Sequence, residues 1–248
     1  RISNFTDLNS LECVDGVSVR YVKSAAELKQ PDMVVLPGTK NTMEDLLWMR
    51  QCGLEAAILK LAAQGTPVFG ICGGYQMLGQ RIADPEGIEN VIKADGSEGL
   101  RGLELLPMET VLKPEKVRTQ TSGSMEITEG ALAGFSSHRI HGYEIHMGET
   151  MAVDAIKPLC HLDQKNDVVC QERDGGQRDN VYGTYVHGIF DEKLVSEGIV
   201  SAILKQKGYD TLQIEGKDWN SYKEEQYDQL ADILRESLDM KAIYKMME

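Results

Sequence analysis

The chain predicts an α/β fold with a doubly wound, mainly parallel sheet between two helical layers. Three observations carry this expectation. Met33-Val34-Val35-Leu36 and Val68-Phe69-Gly70-Ile71 are short continuous apolar runs, the mark of strands buried on both faces. Helical periodicity fills the space between them. Each run ends in a turn, at Pro37-Gly38 and at Cys72-Gly73, and in such sheets binding sites lie beyond the carboxyl ends of the strands.

Taken in order, Val17 to Val22 reads as a strand and Ala25 to Leu28 as a short helix. Asn41 or Thr42 can cap a helix through Arg50, with Glu44 and Asp45 favourably placed in its first turn. Gly53 breaks it, and Leu54, Ala57, Ile58 and Leu61 stripe the next helix. From Gly99 to Gly148 the pattern changes to short strands and loops, with 119–130 read as a polar loop. Gly142 to Gly148, Val168 to Cys170 and Val181 to Val186 are strand candidates. Asp191 opens a helix with Val195, Ile199 and Ile203 at four-residue spacing, and a last helix carries Tyr227, Leu230, Leu234 and Leu238 on one face. No repeat or linker interrupts this, so one compact domain with helical C-terminal additions is expected.

A net charge of −13 speaks against a nucleic-acid surface and against an anionic membrane as partner. No apolar run reaches the length of a membrane span and no signal-peptide pattern opens the chain. Five scattered cysteines, an odd number, suit a reducing cytoplasm better than a disulfide framework. The first residue is Arg1, not Met, which suggests a piece of a longer polypeptide.

Gly70-Ile71-Cys72-Gly73-Gly74 describes a nucleophile elbow: an apolar strand, a cysteine with glycine two residues to either side, and a helix start. A reactive side chain on so sharp a turn needs small neighbours, and a helix N-terminus favours a thiolate. A lone cysteine is more often a buried packing residue; the glycines and the strand–helix context reverse that balance. His187, at the end of the strand candidate 181–186, is the natural proton partner on the same sheet edge. His141 and His146 flank a strand-like segment and line the site or merely hydrogen-bond within it. The amide of Gly73 is one natural oxyanion donor, and the Pro37-Gly38-Thr39 turn offers a second. Cys160, His161 and Cys170 lack ligand spacing, so no metal site is expected. There is no phosphate loop and no dinucleotide fingerprint, so the chain itself is not expected to bind ATP.

With these residues, the chain resembles the class I (triad-type) glutamine amidotransferases and, within them, the glutaminase domains of cobyric acid synthases. The resemblance rests on the stretches 1–7 (RISNFTD), 36–42 (LPGTKNT), 70–79 (GICGGYQMLG), 142–146 (GYEIH) and 182–188 (YGTYVHG). It implies a flavodoxin-like, three-layer α/β/α fold in which Cys72 attacks the side-chain amide of glutamine through a thioester and His187 serves as base and acid. It also implies Gly38 and Gly73 as oxyanion donors and Gln76 as a contact to glutamine. Class I members often carry a glutamate two residues after the histidine. Here that place is Ile189, so Glu144 and His146 are the accessory candidates for orienting the imidazole.

The resemblance further implies a division of the chain. Residues 1–15 would be a linker remnant from a missing N-terminal ATP-dependent synthetase domain, 16–200 the amidotransferase domain, and 201–248 a helical extension packed on it. No cofactor is implied for this chain, with ATP and Mg expected in the synthetase domain. The partners implied are glutamine, that synthetase domain and its corrinoid substrate, adenosylcobyrinic acid a,c-diamide, amidated at the b, d, e and g carboxylates. The alternatives are a stand-alone amidotransferase subunit, for cobyrinate a,c-diamide synthesis or lipid II amidation, and a non-catalytic docking or glutamine-sensing domain.

Overall fold

A computed structural model describes residues 1–89, 99–133, 135–209, 214 and 216–247. The helices are α1 (Asn9–Glu12), α2 (Ala25–Leu28), α3 (Thr42–Gln51), α4 (Leu54–Ala63), α5 (Gly73–Leu78), α6 (Lys193–Gln206), α7 (Trp219–Ser237) and α8 (Met240–Met247). The strands of the first half are β1 (Val34–Leu36), β2 (Val68–Ile71), β3 (Arg81–Ala83), β4 (Gly99–Arg101) and β5 (Met108–Ile127). They are followed by β6 (Phe135–Ala152), β7 (Cys160–Lys165), β8 (Val168–Asp174), β9 (Gly176–Arg178), β10 (Val181–Thr184) and β11 (Val186–His187).

One sheet has the order β1-β2-β10-β9, with β1, β2 and β10 parallel and β9 antiparallel. Alternation along its strands splits the core in two. Val34, Leu36 and Val68 join Met43, Leu46 and Ile58 of α3 and α4, while Phe69 and Ile71 pack with Val195 and Ile199 of α6. Helices thus cover both faces, which is the α/β layering predicted. Asn41 caps α3 by accepting the Glu44 amide at 2.9 Å, and Gly53, at φ +77°, turns the chain into α4.

Two sequence expectations fail in the middle of the chain. The second sheet, ordered β11-β6-β5-β3-β4 with β7 paired to β5 and β8 to β7, is built on long strands rather than short ones. The segment 119–130, read as a loop, lies mostly within β5, which pairs antiparallel with β6 from Met108↔Ala152 to Ile127↔Phe135. The pattern misleads because 113–116 are exposed, so the alternation that betrays a half-buried strand is interrupted there. Val17 to Val22, expected to be a strand, is assigned to no strand and pairs with none among the described residues.

At the amino end, the Ser3 amide donates to the Gly38 carbonyl at 2.9 Å, Ile2 bridges Thr39, and Arg1 pairs with Asp45. At the other end, Gly216 bridges Val14 and the Lys217 amide donates to the Cys13 carbonyl at 3.0 Å, while Tyr227, Leu230 and Leu234 of α7, and Leu238 just beyond it, are exposed. No described helix is long and apolar enough to cross a membrane.

Candidate active site

Cys72 stands between β2 and α5 with φ +52° and ψ −112°, a conformation few residues other than glycine adopt. Such backbone costs on the order of 1–3 kcal/mol and persists only where the surroundings enforce it. They do so here. The Cys72 amide donates to the Thr184 carbonyl at 2.8 Å, and its carbonyl accepts from the Gln76 amide at 3.0 Å. A Cβ on Gly74 would come within 2.0 Å of the Leu36 carbonyl oxygen, so only glycine lets α5 lie this close to β1. The sulfur is nearly buried and faces the Ile145 carbonyl of β6 at 3.4 Å.

The parallel pairing of β10 with β2 sets Thr184 opposite Ile71, which carries His187 to the edge occupied by Cys72. The ring faces the same cavity as the Cys72 thiol, near enough for each to influence the other. Its Nδ1 lies 2.8 Å from Asp7 Oδ2, which leaves Nε2 as the nitrogen for the sulfur. The other Asp7 oxygen accepts the Gly188 amide at 3.0 Å, and Asn4 ties Asp7 to the Tyr143 hydroxyl. Tyr143 stacks on the imidazole, with ring centroids 5.1 Å apart. Burial works against a charge on His187, but the interactions with Asp7 and Cys72 prevail and raise its pKa to about 9.

The residue on Nδ1 is therefore Asp7, where the sequence suggested Glu144 or His146. Glu144 sits opposite Val186 on β6 and is held by Lys165 at 3.0 Å, away from the ring. His146 does reach the cavity, but its ring stacks on Tyr185 at 3.7 Å and its Nδ1 meets the Gly148 carbonyl at 3.1 Å. Burial lowers its pKa to about 4, so it is neutral at pH 7. Asp7 lies within the RISNFTD run that carries the resemblance, but nothing in that run pairs it with His187.

Cys72, Gly73, Gln76, His146 and His187 line one cavity of about 420 Å³, together with Asn4, Thr39 and Tyr143. Gly38 closes in beside it: a Cβ there would stand 2.8 Å from His187 Cε1 and 3.5 Å from Cys72 Cβ. A Cβ on Gly73 would lie 3.1 Å from the Thr39 amide nitrogen, so the elbow and the Gly38–Thr39 turn meet at one point. Gln76 accepts from the Thr42 hydroxyl at 3.0 Å and donates to the Met147 carbonyl at 3.1 Å and the Tyr185 hydroxyl at 3.2 Å. Among the described residues no cluster of three or more His, Cys, Asp or Glu could hold a metal.

A buried thiol beside an imidazole, which a carboxylate fixes from behind, is equipped to attack a carbonyl and protonate the departing group. Fold and comparison then converge on one class. The fold matches a crystal structure of a glutamine amidotransferase (TM-score 0.53, 17% identity, 84% of this chain and 95% of the other). It also matches PurLQS from Thermotoga maritima (TM-score 0.56, 16% identity, 81% and 91%). The CobB/CobQ-like glutamine amidotransferase domain matches residues 1–195, and the chain belongs to this family of enzyme components.

Among curated relatives, the cobyric acid synthases of Lachnoclostridium phytofermentans and Ruminiclostridium cellulolyticum are each 46% identical. The alignments span 260 and 249 residues and cover the whole chain. They cover only 48% and 47% of the relatives, so the chain spans about half their length.

Proposed function

We propose that this chain is the glutamine-hydrolysing part of a cobyric acid synthase, and that Cys72 is its nucleophile. The observation that carries this reading is that Cys72 and His187 line one cavity, with the imidazole held from behind by Asp7 at 2.8 Å. The proton shared between Cys72 and His187 sits on Nε2, in keeping with a ring whose charged form is favoured, as sulfur attacks the side-chain amide carbon of glutamine. The proton then passes to the departing nitrogen, which leaves as ammonia, and the γ-glutamyl group remains on sulfur as a thioester. Water, deprotonated by the same imidazole, cleaves the thioester to glutamate and restores the thiol. Asp7 holds the ring with Nδ1–H toward itself and supports the imidazolium. The Gly73 amide and the Gly38–Thr39 turn are the donors for the tetrahedral oxyanion, each such donor being worth about 10²–10³ in rate. Gln76 frames the glutamine pocket.

The name and length of the relatives support the wider reading. A synthetase portion outside this chain would use ATP and Mg to activate carboxylates of a corrinoid, adenosylcobyrinic acid a,c-diamide, at positions b, d, e and g, and would consume the ammonia made here. The reaction at Cys72 is tested with a diazo-ketone analogue of glutamine. Mass spectrometry is expected to find a single adduct, on Cys72, lost in Cys72→Ser. Labelling at another residue, or undiminished labelling of that variant, overturns the assignment.

A further inference from the structure

A larger cavity than the one at Cys72 lies elsewhere in the molecule. It measures about 940 Å³ and lies at the free edge of β1, between that strand and segment 17–22. Its shape follows the layers of the fold. One side is closed by Trp48, Met49 and Ile58 of α3 and α4, and the opposite side by Ile199 and Ile203 of α6. A gap that touches both helical layers and is bounded edgewise by β1 and by segment 17–22 lies in the plane of the sheet itself.

Both edges retain the alternation of strands that border an occupied position. Val17, Val19, Met33 and Val35 turn toward the α6 face, while Val22, Val34 and Leu36 turn toward α3 and α4. Met33, Val35, Val17 and Val19 are only half-buried although helices stand on both sides of them. The Val34 amide is spent on the Pro67 carbonyl, on the β2 side. By the alternation of a parallel ladder, the polar groups of Val35 point the other way, into the cavity. Leaving these groups without a strand partner is costly in an apolar surrounding. Segment 17–22 is held in position by side chains instead: Arg20 donates to the Glu27 carbonyl at 2.9 Å, and the Tyr21 hydroxyl to the Phe5 carbonyl at 3.2 Å.

We propose that this cavity is the seat of a further β-strand, supplied by the polypeptide that precedes Arg1 in the full-length protein. Arg1 lines the cavity, and Ile2 bridges Thr39 just beyond the carboxyl end of β1. A chain arriving at Arg1 through the cavity therefore runs in the same direction as β1, as a parallel sheet requires. Relatives about twice as long supply such a chain. About five residues span the gap at the usual rise per residue, and their side chains must be apolar on both faces. The strand would complete the sheet as 17–22, new strand, β1, β2, β10, β9. It would also deliver residues 3–7 directly from the sheet to His187. This inference stands on the sheet edge and does not depend on the glutamine chemistry.

The test is amide hydrogen exchange on the full-length protein, compared with a full-length variant whose six residues before Arg1 are replaced by Gly and Ser. In the unaltered protein the amides of Val35, of 17–22 and of the preceding residues are expected to exchange slowly, in the range of core strands. In the variant they should exchange at least about tenfold faster, and an apolar dye should bind the opened cavity. Fast exchange of the preceding residues in the unaltered protein overturns the proposal without reference to any variant. So does protection that depends on protein concentration, which would point to a second copy. Co-purification of a small apolar ligand, found by native mass spectrometry with the preceding residues unprotected, overturns it as well.

Discussion

Asp7 and His187 stand 180 residues apart in the chain and 2.8 Å apart in space, carboxylate oxygen to Nδ1, both buried. The pair fixes the ring that faces Cys72, so Asp7→Asn should leave the fold intact and disarm the site. The expected loss in kcat for glutamine hydrolysis is about 10²–10⁴-fold, with KM little changed, the scale seen when a triad carboxylate is neutralised. The His187 ring, followed by NMR, should titrate well below pH 9 in the variant. An unchanged titration and kcat would remove Asp7 from the mechanism.

The two histidines at the cavity have opposite effects on stability. His187 is raised to about 9, so its contribution is full below its ordinary value of 6.5 and is lost as pH rises through 9. His146 is lowered to about 4, so its contribution is present above 6.5 and is lost as pH falls through 4. Denaturant midpoints measured across pH should therefore fall on both sides of neutrality. Asp7→Asn should flatten only the alkaline limb and His146→Phe only the acid limb. Either variant altering the other's limb would refute this division.

Glycine substitutions should separate chemistry from folding. In Gly38→Ala the new methyl meets the His187 ring edge, a side chain, and in Gly74→Ala it meets the Leu36 backbone at 2.0 Å. Gly38→Ala is expected to lower diazo-ketone labelling at least about tenfold, for roughly 1 kcal/mol of stability. Gly74→Ala is expected to cost roughly 3 kcal/mol or to prevent folding, because backbone on both sides cannot yield. Chemical denaturation and labelling rates measured together decide it, and a harmless Gly74→Ala would contradict the close approach of α5 to β1.

Gln76→Leu keeps volume but strands the Thr42 hydroxyl and the Met147 carbonyl. A loss of about 1–3 kcal/mol is expected from the unsatisfied buried groups. A raised KM for glutamine is expected as well, since the Met147 wall of the pocket loses its anchor. Stability and KM both unchanged would show that Gln76 frames nothing.

What could be read from the residues, and what could not, follows physical lines. Cys72, Gly38 and Gly74 were legible because backbone that is strained or tightly approached limits the residue types so severely that motif and geometry coincide. β1 and β2 were legible as continuous apolar runs, α3 by its capping residues, and α4 by the periodic apolar face it buries. The long β5–β6 hairpin was not, since the exposed run 113–116 carries no alternation, and its pairing depends on a strand many residues away. Asp7 was quoted within the run that identified the chain, yet its role was invisible, because nothing local tells an aspartate which histidine it will meet.

That contact also sets a timetable. The ribosome delivers Asp7 at the start of the domain and His187 only near its end, so the imidazole cannot be fixed until almost all the chain has emerged. Contacts of such sequence separation form late, after local helices and hairpins. A nascent or prematurely terminated chain already carries the elbow cysteine, but with no oriented base beside it. The thiol stays unarmed until the first and last parts of the domain have closed on each other.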